Sequence, residues 1–176
     1  MANIIKNTIR YDHYFDRTTK RHQINGIQIV LHCHHYTTLY TQLALDANET
    51  ELLRESARES IREALEKYFA DNPGICGIQK KIEIACQYYA LIGLGTMSVR
   101  FLGDLCGEVE LLSSHIDSGW LKKWGKYDRP VNYITAGFIE AMCECVLELP
   151  ARSFRVVETR SIVMGSESST FRIERI

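Results

Sequence analysis

Long apolar runs, regularly spaced cysteines and an excess of charge of either sign are all missing from this chain, and each absence closes a class of function. Nowhere do about 18 uninterrupted apolar residues occur, as a spanning helix requires, and the opening MANIIKNTIRYDHYFDR has no apolar stretch for a signal peptide. A soluble, cytoplasmic protein without a membrane span is expected. The net charge is −1, so no electrostatic footprint argues for nucleic acid or an anionic membrane as partner. Cysteines stand at 33, 76, 86, 106, 143 and 145 with no CxxC pair, and most are expected to be small buried hydrophobes. No phosphate-binding GxxxxGK[ST] and no nucleophile-elbow GxSxG is present. Gly93-Leu94-Gly95 lacks the third glycine of a dinucleotide fingerprint and reads as a helix stop. Proline is scarce too: Pro73, Pro130 and Pro150 each punctuate a boundary between periodic segments.

What remains is an average globular composition, 45% apolar and 24% charged over 176 residues, enough for one core without disulfides. No repeat or linker divides the chain, so a single domain over residues 1–176 is expected. Its opening, to about Gly26, carries only a weak strand or loop signal, with Tyr11, Tyr14 and Phe15 as anchors. The β-branched run from Ile27 fits either a buried strand or the start of a long helix, with helix favoured after His34. Asn48 reads as the N-cap of an amphipathic helix over roughly 49–70, whose charged side, Arg54, Arg58 and Arg62 among it, reads as solvated. A second helix, marked by Ile78, Ile82, Ala85 and Tyr89, runs up to Gly93.

After those glycines the period changes to two. TMSVRFL and GEVELLSS form a hairpin with Cys106 in its turn, a short helix covers DSGWLKKWG, and Pro130 opens a helix with Ile134, Phe138, Ala141, Met142 and Cys145 on one face. In that helix the two sulfurs of Cys143 and Cys145 lie about 200° apart, so one of them reads as core. VVETRSIVMGSESSTFRIER makes the last hairpin, with Phe154, Val156, Ile162 and Met164 on one parity. Helices and hairpins in runs, without strict alternation, predict an α+β fold: an antiparallel sheet of two hairpins with about four helices packed on one face.

The densest set of potential metal donors is His32-Cys33-His34-His35. Imidazole and thiolate suit zinc and other late first-row metals, and histidine titrates near neutrality, so this run is the candidate for metal or haem ligation or for acid/base chemistry. Adjacent residues point apart, so His13, His22 or His115 would have to join by folding.

Residues 136–175, AGFIEAMCECVLELPARSFRVVETRSIVMGSESSTFRIER, resemble the end of the 4-vinyl reductase domain. The matches are Ala136, Gly137 and Phe138 at the helix start, Glu158 as the strand-end acid, Gly165 in the turn and Phe171 as the closing aromatic. YYALIGLGTMSVRFLGDLCGEVELLSS looks like that family's helix, glycine and first hairpin, so the likeness spans about residues 50–175. Members with a structural zinc hold it through the Glu and two cysteines; here those places are Glu158, Ser161 and Ser169, and a serine hydroxyl is a poor zinc ligand, so this zinc is not expected. The resemblance implies the fold of vesicle-tethering transport-particle subunits, a homodimer, and an interior pocket for a small apolar, aromatic or tetrapyrrole-like ligand. Candidate pocket residues are Tyr36, Tyr40, Tyr88, Tyr89, Phe101, Trp120, Trp124, Tyr133 and Phe138. The implied role is a small-molecule sensor or carrier; a small enzyme built on the His/Cys run and a dimeric scaffold subunit are the alternatives.

Overall fold

The computed structural model describes residues 8–176, and residues 1–7 of the expected N-terminal segment lie outside the described residues. The chain is α+β, with five helices and two antiparallel sheets among the described residues. The smaller sheet was not foreseen: β1 (His13–Asp16), β2 (Arg21–Ile24) and β3 (Ile27–Ile29) form a meander. Its tightest turn is Asn25-Gly26, with φ of 51° and 77°, the pair that a two-residue hairpin with left-handed residues favours. Tyr11, Tyr14 and Phe15, expected to anchor this segment, are exposed instead. The ambiguous run from Ile27 resolves as strand first and helix second, with α1 (His34–Asp46) starting at His34.

Two successive helices follow, α2 (Thr50–Asp71) and α3 (Ile78–Leu91). Glu49, not Asn48, occupies the N-cap of α2; Asn48 adopts a left-handed φ of 57° in the link from α1. The α2 charged side is no simple solvated face, because Arg54 and Arg58 are buried against the rest of the chain. The reason lies in α5 (Tyr133–Val146), which is buried on every side from Thr135 to Val146 and carries Glu140 and Glu144 inside. Arg54 Nη1 lies 3.4 Å from Glu140 and Arg62 Nη1 3.0 Å from Glu144, so acids four residues apart on one helix meet arginines eight apart on the other. Gly137 lets the helices approach: a Cβ there would collide with the Arg54 carbonyl oxygen.

The larger sheet, in the order β4-β5-β7-β6, joins β4 (Gly95–Leu102), β5 (Cys106–Ser114), β7 (Ser169–Arg175) and β6 (Phe154–Arg160), all antiparallel. Alternation divides its faces: Val109, Leu111, Phe154, Val156, Phe171 and Ile173 are buried in the core, while Arg155, Arg172 and Glu174 face solvent. Each inward side chain contributes roughly 1.5–3 kcal/mol by leaving water. The edge strand β6 is blunted by the same two α5 carboxylates, for Val156 N donates to Glu140 (3.1 Å) and Ser153 N to Glu144 (3.2 Å). Two details of the closing hairpin differ from the alternation: β6 ends at Arg160, and in the turn Val163 is buried while Met164 is exposed. Cys106 opens β5 rather than sitting in the turn, and both Cys143 and Cys145 are buried.

Between the hairpins, α4 (His115–Trp124) begins at Ser114, whose hydroxyl accepts from Asp117 N at 3.1 Å. Among the described residues no helix is long and apolar enough to cross a membrane.

Candidate functional site

The start of α5, the end of β6 and the start of α4 meet at a buried polar cluster. Asn132, just before α5, is its hub. Its side-chain nitrogen donates to Asp117 Oδ2 (2.9 Å) and Glu158 Oε1 (3.0 Å), and its backbone N–H reaches Glu158 Oε2 at 3.3 Å. Ser114 Oγ bonds the Asn132 amide oxygen at 3.1 Å, and Ser169 Oγ donates to Asp117 Oδ2 at 3.3 Å. Ile162 N in turn donates to Ser169 Oγ, tying the hairpin turn to the cluster. Asp117 is wholly buried, and its second oxygen, Oδ1, has no hydrogen-bond partner. Ser161 Oγ is likewise buried without a partner in bonding geometry, although it stands close enough to Glu158 to favour the charged carboxylate.

Two buried carboxylates held by one amide cannot both ionise cheaply. Burial pushes the Glu158 carboxyl up to about 7, with the neighbouring Asp117 charge adding to it and the Asn132 hydrogen bond opposing. Asp117 is raised as well, again chiefly by burial, against hydrogen bonds from Asn132, Ser114 and Ser169.

Beside this cluster opens a cleft of about 140 Å³ lined by Arg54, Pro130, Asn132, Tyr133, Ala136, Val157 and Glu158. Pro130, Tyr133, Ala136 and Val157 supply apolar wall, and Arg54, Asn132 and Glu158 supply polar groups. Arg54 brings a buried Nε with no partner. Burial holds Tyr133 above the ordinary phenol range, so its hydroxyl is neutral at physiological pH.

Of the nine aromatics expected to line an interior pocket, only Tyr133 borders this cleft. Tyr89 and Phe138 pack edge to face with centroids 4.9 Å apart in the core, and Tyr89 bonds Thr135 Oγ1 at 2.9 Å. Tyr88 is buried in the same core, while Trp120 packs on Trp124 and Tyr127 in a second, smaller cluster. Tyr36, Tyr40, Phe101 and Trp124 are exposed. Aromatic type alone could not separate these fates, since core, rim and surface all use the same side chains.

The His/Cys run is partly assembled by folding. The rings of His34 and His35 lie 4.1 Å apart, His115 stands 6.2 Å from His34, and Cys33 Sγ is 3.8 Å from His35 Nδ1. His32 turns away to Tyr36 and Tyr40. Burial and the nearby His35, Lys122 and His115 charges hold His34 below the usual imidazole range. Among the described residues no three His, Cys, Asp or Glu side chains are placed to hold a metal ion. At the hairpin, Glu158 and Ser169 do meet at Asn132 and Asp117, with Ser161 close by, but carboxylates and hydroxyls without thiolate or imidazole do not fit a structural zinc.

Sequence reasoning passed over Asp117, Asn132, Glu140 and Glu144, and took Arg54 for a solvated charge. Signals existed for some of them. Ser114-x-x-Asp117 is a capping spacing, and Glu140 and Glu144 inside an otherwise apolar helix demand buried partners.

No protein-family model matches this chain, and no curated protein does. Solved structures do. The phenol-responsive sensory domain of the transcription activator PoxR, crystallised with phenol, is similar at a TM-score of 0.77 and 10% identity, over 93% of this chain and 84% of that one. This chain shares that domain's fold. Trafficking protein particle complex subunit 3 from Naegleria fowleri, covalently bound to palmitic acid, matches at a TM-score of 0.55 and 14% identity, over 81% and 91% of the two chains. A vinyl-4-reductase family protein from Methanocaldococcus jannaschii is a weaker match, TM-score 0.48 at 16% identity over 70% and 68%, and adds no argument. At these identities the likeness is one of fold.

Proposed function

We propose that this protein is a small-molecule-binding domain of the sensor type, holding a ligand of single-ring size in the cleft between the start of α5 and β6. The observation that carries the reading is the cleft itself, with apolar walls from Pro130, Tyr133 and Val157 and polar ends from Arg54, Asn132 and Glu158. Its size suits a small ligand. A cavity of about 150 Å³ takes a benzene-sized molecule, whereas a tetrapyrrole is several times too large for this cleft. A ring between Tyr133 and Val157 would gain affinity from desolvated apolar area, and a hydroxyl on it would find Glu158 or the Arg54 guanidinium. The fold shared with a phenol-responsive sensory domain supports the same class. A cytoplasmic location and a homodimer complete the reading.

The test is calorimetric titration of phenol and related single-ring compounds into the wild type and into Val157→Trp. Val157 is exposed at the cleft mouth, so the indole blocks entry without repacking the core. Binding by the wild type and at least a tenfold loss in the variant, at unchanged melting temperature, is expected. Equal titration of both proteins, or none at millimolar ligand, would exclude the cleft.

A further inference from the structure

Two of the six histidines stay outside the His/Cys run and meet each other instead. His13 of β1 and His22 of β2 lie on one face of the small sheet, a diagonal pair set by a register in which His13 is opposite Ile24 and Phe15 opposite His22. Their ring nitrogens, His13 Nε2 and His22 Nδ1, are 2.9 Å apart. The ring planes differ by 6° with centres 5.1 Å apart, so the imidazoles meet edge to edge, nitrogen against nitrogen. One of the two nitrogens carries the hydrogen and the other accepts it. Phe15 flanks the His22 ring, with centres 4.6 Å apart. Asp16, the acid of the same strand, is engaged elsewhere: it accepts from the Thr18 and Thr19 amides and from the Thr19 hydroxyl. It also pairs with Arg21 on the opposite face of the sheet.

We infer that His13 and His22 form a chelating pair for a divalent late first-row metal ion of square-planar or tetragonal preference, nickel(II) or copper(II). The donors are right, because imidazole suits both ions. The span is right as well. Two metal–nitrogen bonds of ~2.0–2.1 Å at a right angle place their nitrogens about 2.9 Å apart, whereas a tetrahedral angle needs about 3.3 Å. The separation found here is the first of these. Bringing both lone pairs onto one ion asks only for a turn of each ring about its terminal torsion, which is broad for histidine. Both rings project from paired strands, so little freedom is lost when an ion joins them. His13 is exposed and His22 half-buried, which leaves the ion a way in and room to keep water in its remaining positions. Among the described residues no third His, Cys, Asp or Glu is placed to close the shell, so the site is a two-donor surface chelate and not a structural centre.

The inference is independent of the cleft at α5 and β6, and it is tested by calorimetric titration of nickel(II) chloride into the untagged full chain. One ion per chain is expected to bind. His13→Asn and His22→Asn should each weaken it by about a hundredfold, because the second donor closes intramolecularly on an ion that the first already holds. His35→Asn, in the His/Cys run, should bind as the wild type does. Melting curves without metal check that each variant is folded; His13→Gln or His22→Gln replaces one that is not. No saturable binding by the wild type at millimolar nickel, a folded change at His13 or His22 that leaves binding as tight as before, or loss of binding in His35→Asn would overturn the inference.

Discussion

Replacing Glu158 by glutamine should remove a measurable part of this protein's pH dependence. The folded carboxyl sits at about 7 because burial and Asp117 disfavour its charge, whereas an unfolded glutamate titrates near 4.3–4.5. A raised folded value means the native state holds the proton more tightly. Its contribution is therefore fully present below the unfolded value and is lost as pH rises through about 7. The shift of roughly 2.5 units corresponds to about 3 kcal/mol, of which about 2.5 kcal/mol disappears between pH 5 and pH 8. For a chain of this size that is ~5–10 °C in melting temperature. Other groups also titrate: His34, held below its ordinary value, works in the opposite direction, and the lowered Glu51, Glu55, Glu110 and Glu148 act at lower pH. The informative quantity is thus the stability difference between wild type and Glu158→Gln at each pH, in which those contributions cancel. Urea unfolding at half-unit steps from pH 5 to 8 should show the wild type losing its advantage as pH rises. Parallel curves for the two proteins would refute the buried-carboxyl reasoning.

Glu144→Ala should cost about 2 kcal/mol in urea unfolding, because it strands the Ser153 amide and takes from Arg62 its buried partner, leaving it Glu66 and the Leu149 carbonyl, and a loss below about 0.5 kcal/mol would mean the pair is solvated. Gly137→Ala should lower stability by about 3 kcal/mol, since the α2 backbone must move off α5 to admit a methyl group; a neutral result would show that the helices are not in contact there. In native protein, Cys33, Cys76 and Cys106 should react quickly with a disulfide reagent. The partly buried Cys86, pushed up to about 11, and the buried Cys143 and Cys145 should stay protected until unfolding. Fast labelling of a fourth thiol would contradict that burial.

The elements that a local period defines were legible in the sequence: α2 and α3 from three-four spacing, β4 and β5 from alternation, α5 from Pro130 to its end near Pro150. The β1–β3 meander was missed because its strands are short and mostly exposed, so alternation of burial is weak; Asn25-Gly26 was the readable clue. The polar face of α2 was misread since periodicity tells which residues share a side, not whether another helix covers it. Only knowledge that α5 is central, with Glu140 and Glu144 inside, turns Arg54 and Arg62 from surface charges into partners. The site was half legible. Glu158, Ser161 and Ser169 stood out, and they do gather, but Asp117 and Asn132 lie 41 and 26 residues upstream of Glu158 and are brought to it only by the packing of α4 and α5 against the sheet.

The most direct test is to locate a bound ring. Crystals soaked with a brominated phenol should give an anomalous bromine peak in the cleft between Tyr133 and Val157, with the ring hydroxyl turned toward Glu158 or Arg54. A peak at another surface, or an empty cleft at saturating ligand, would contradict the assignment of this cleft as the binding site.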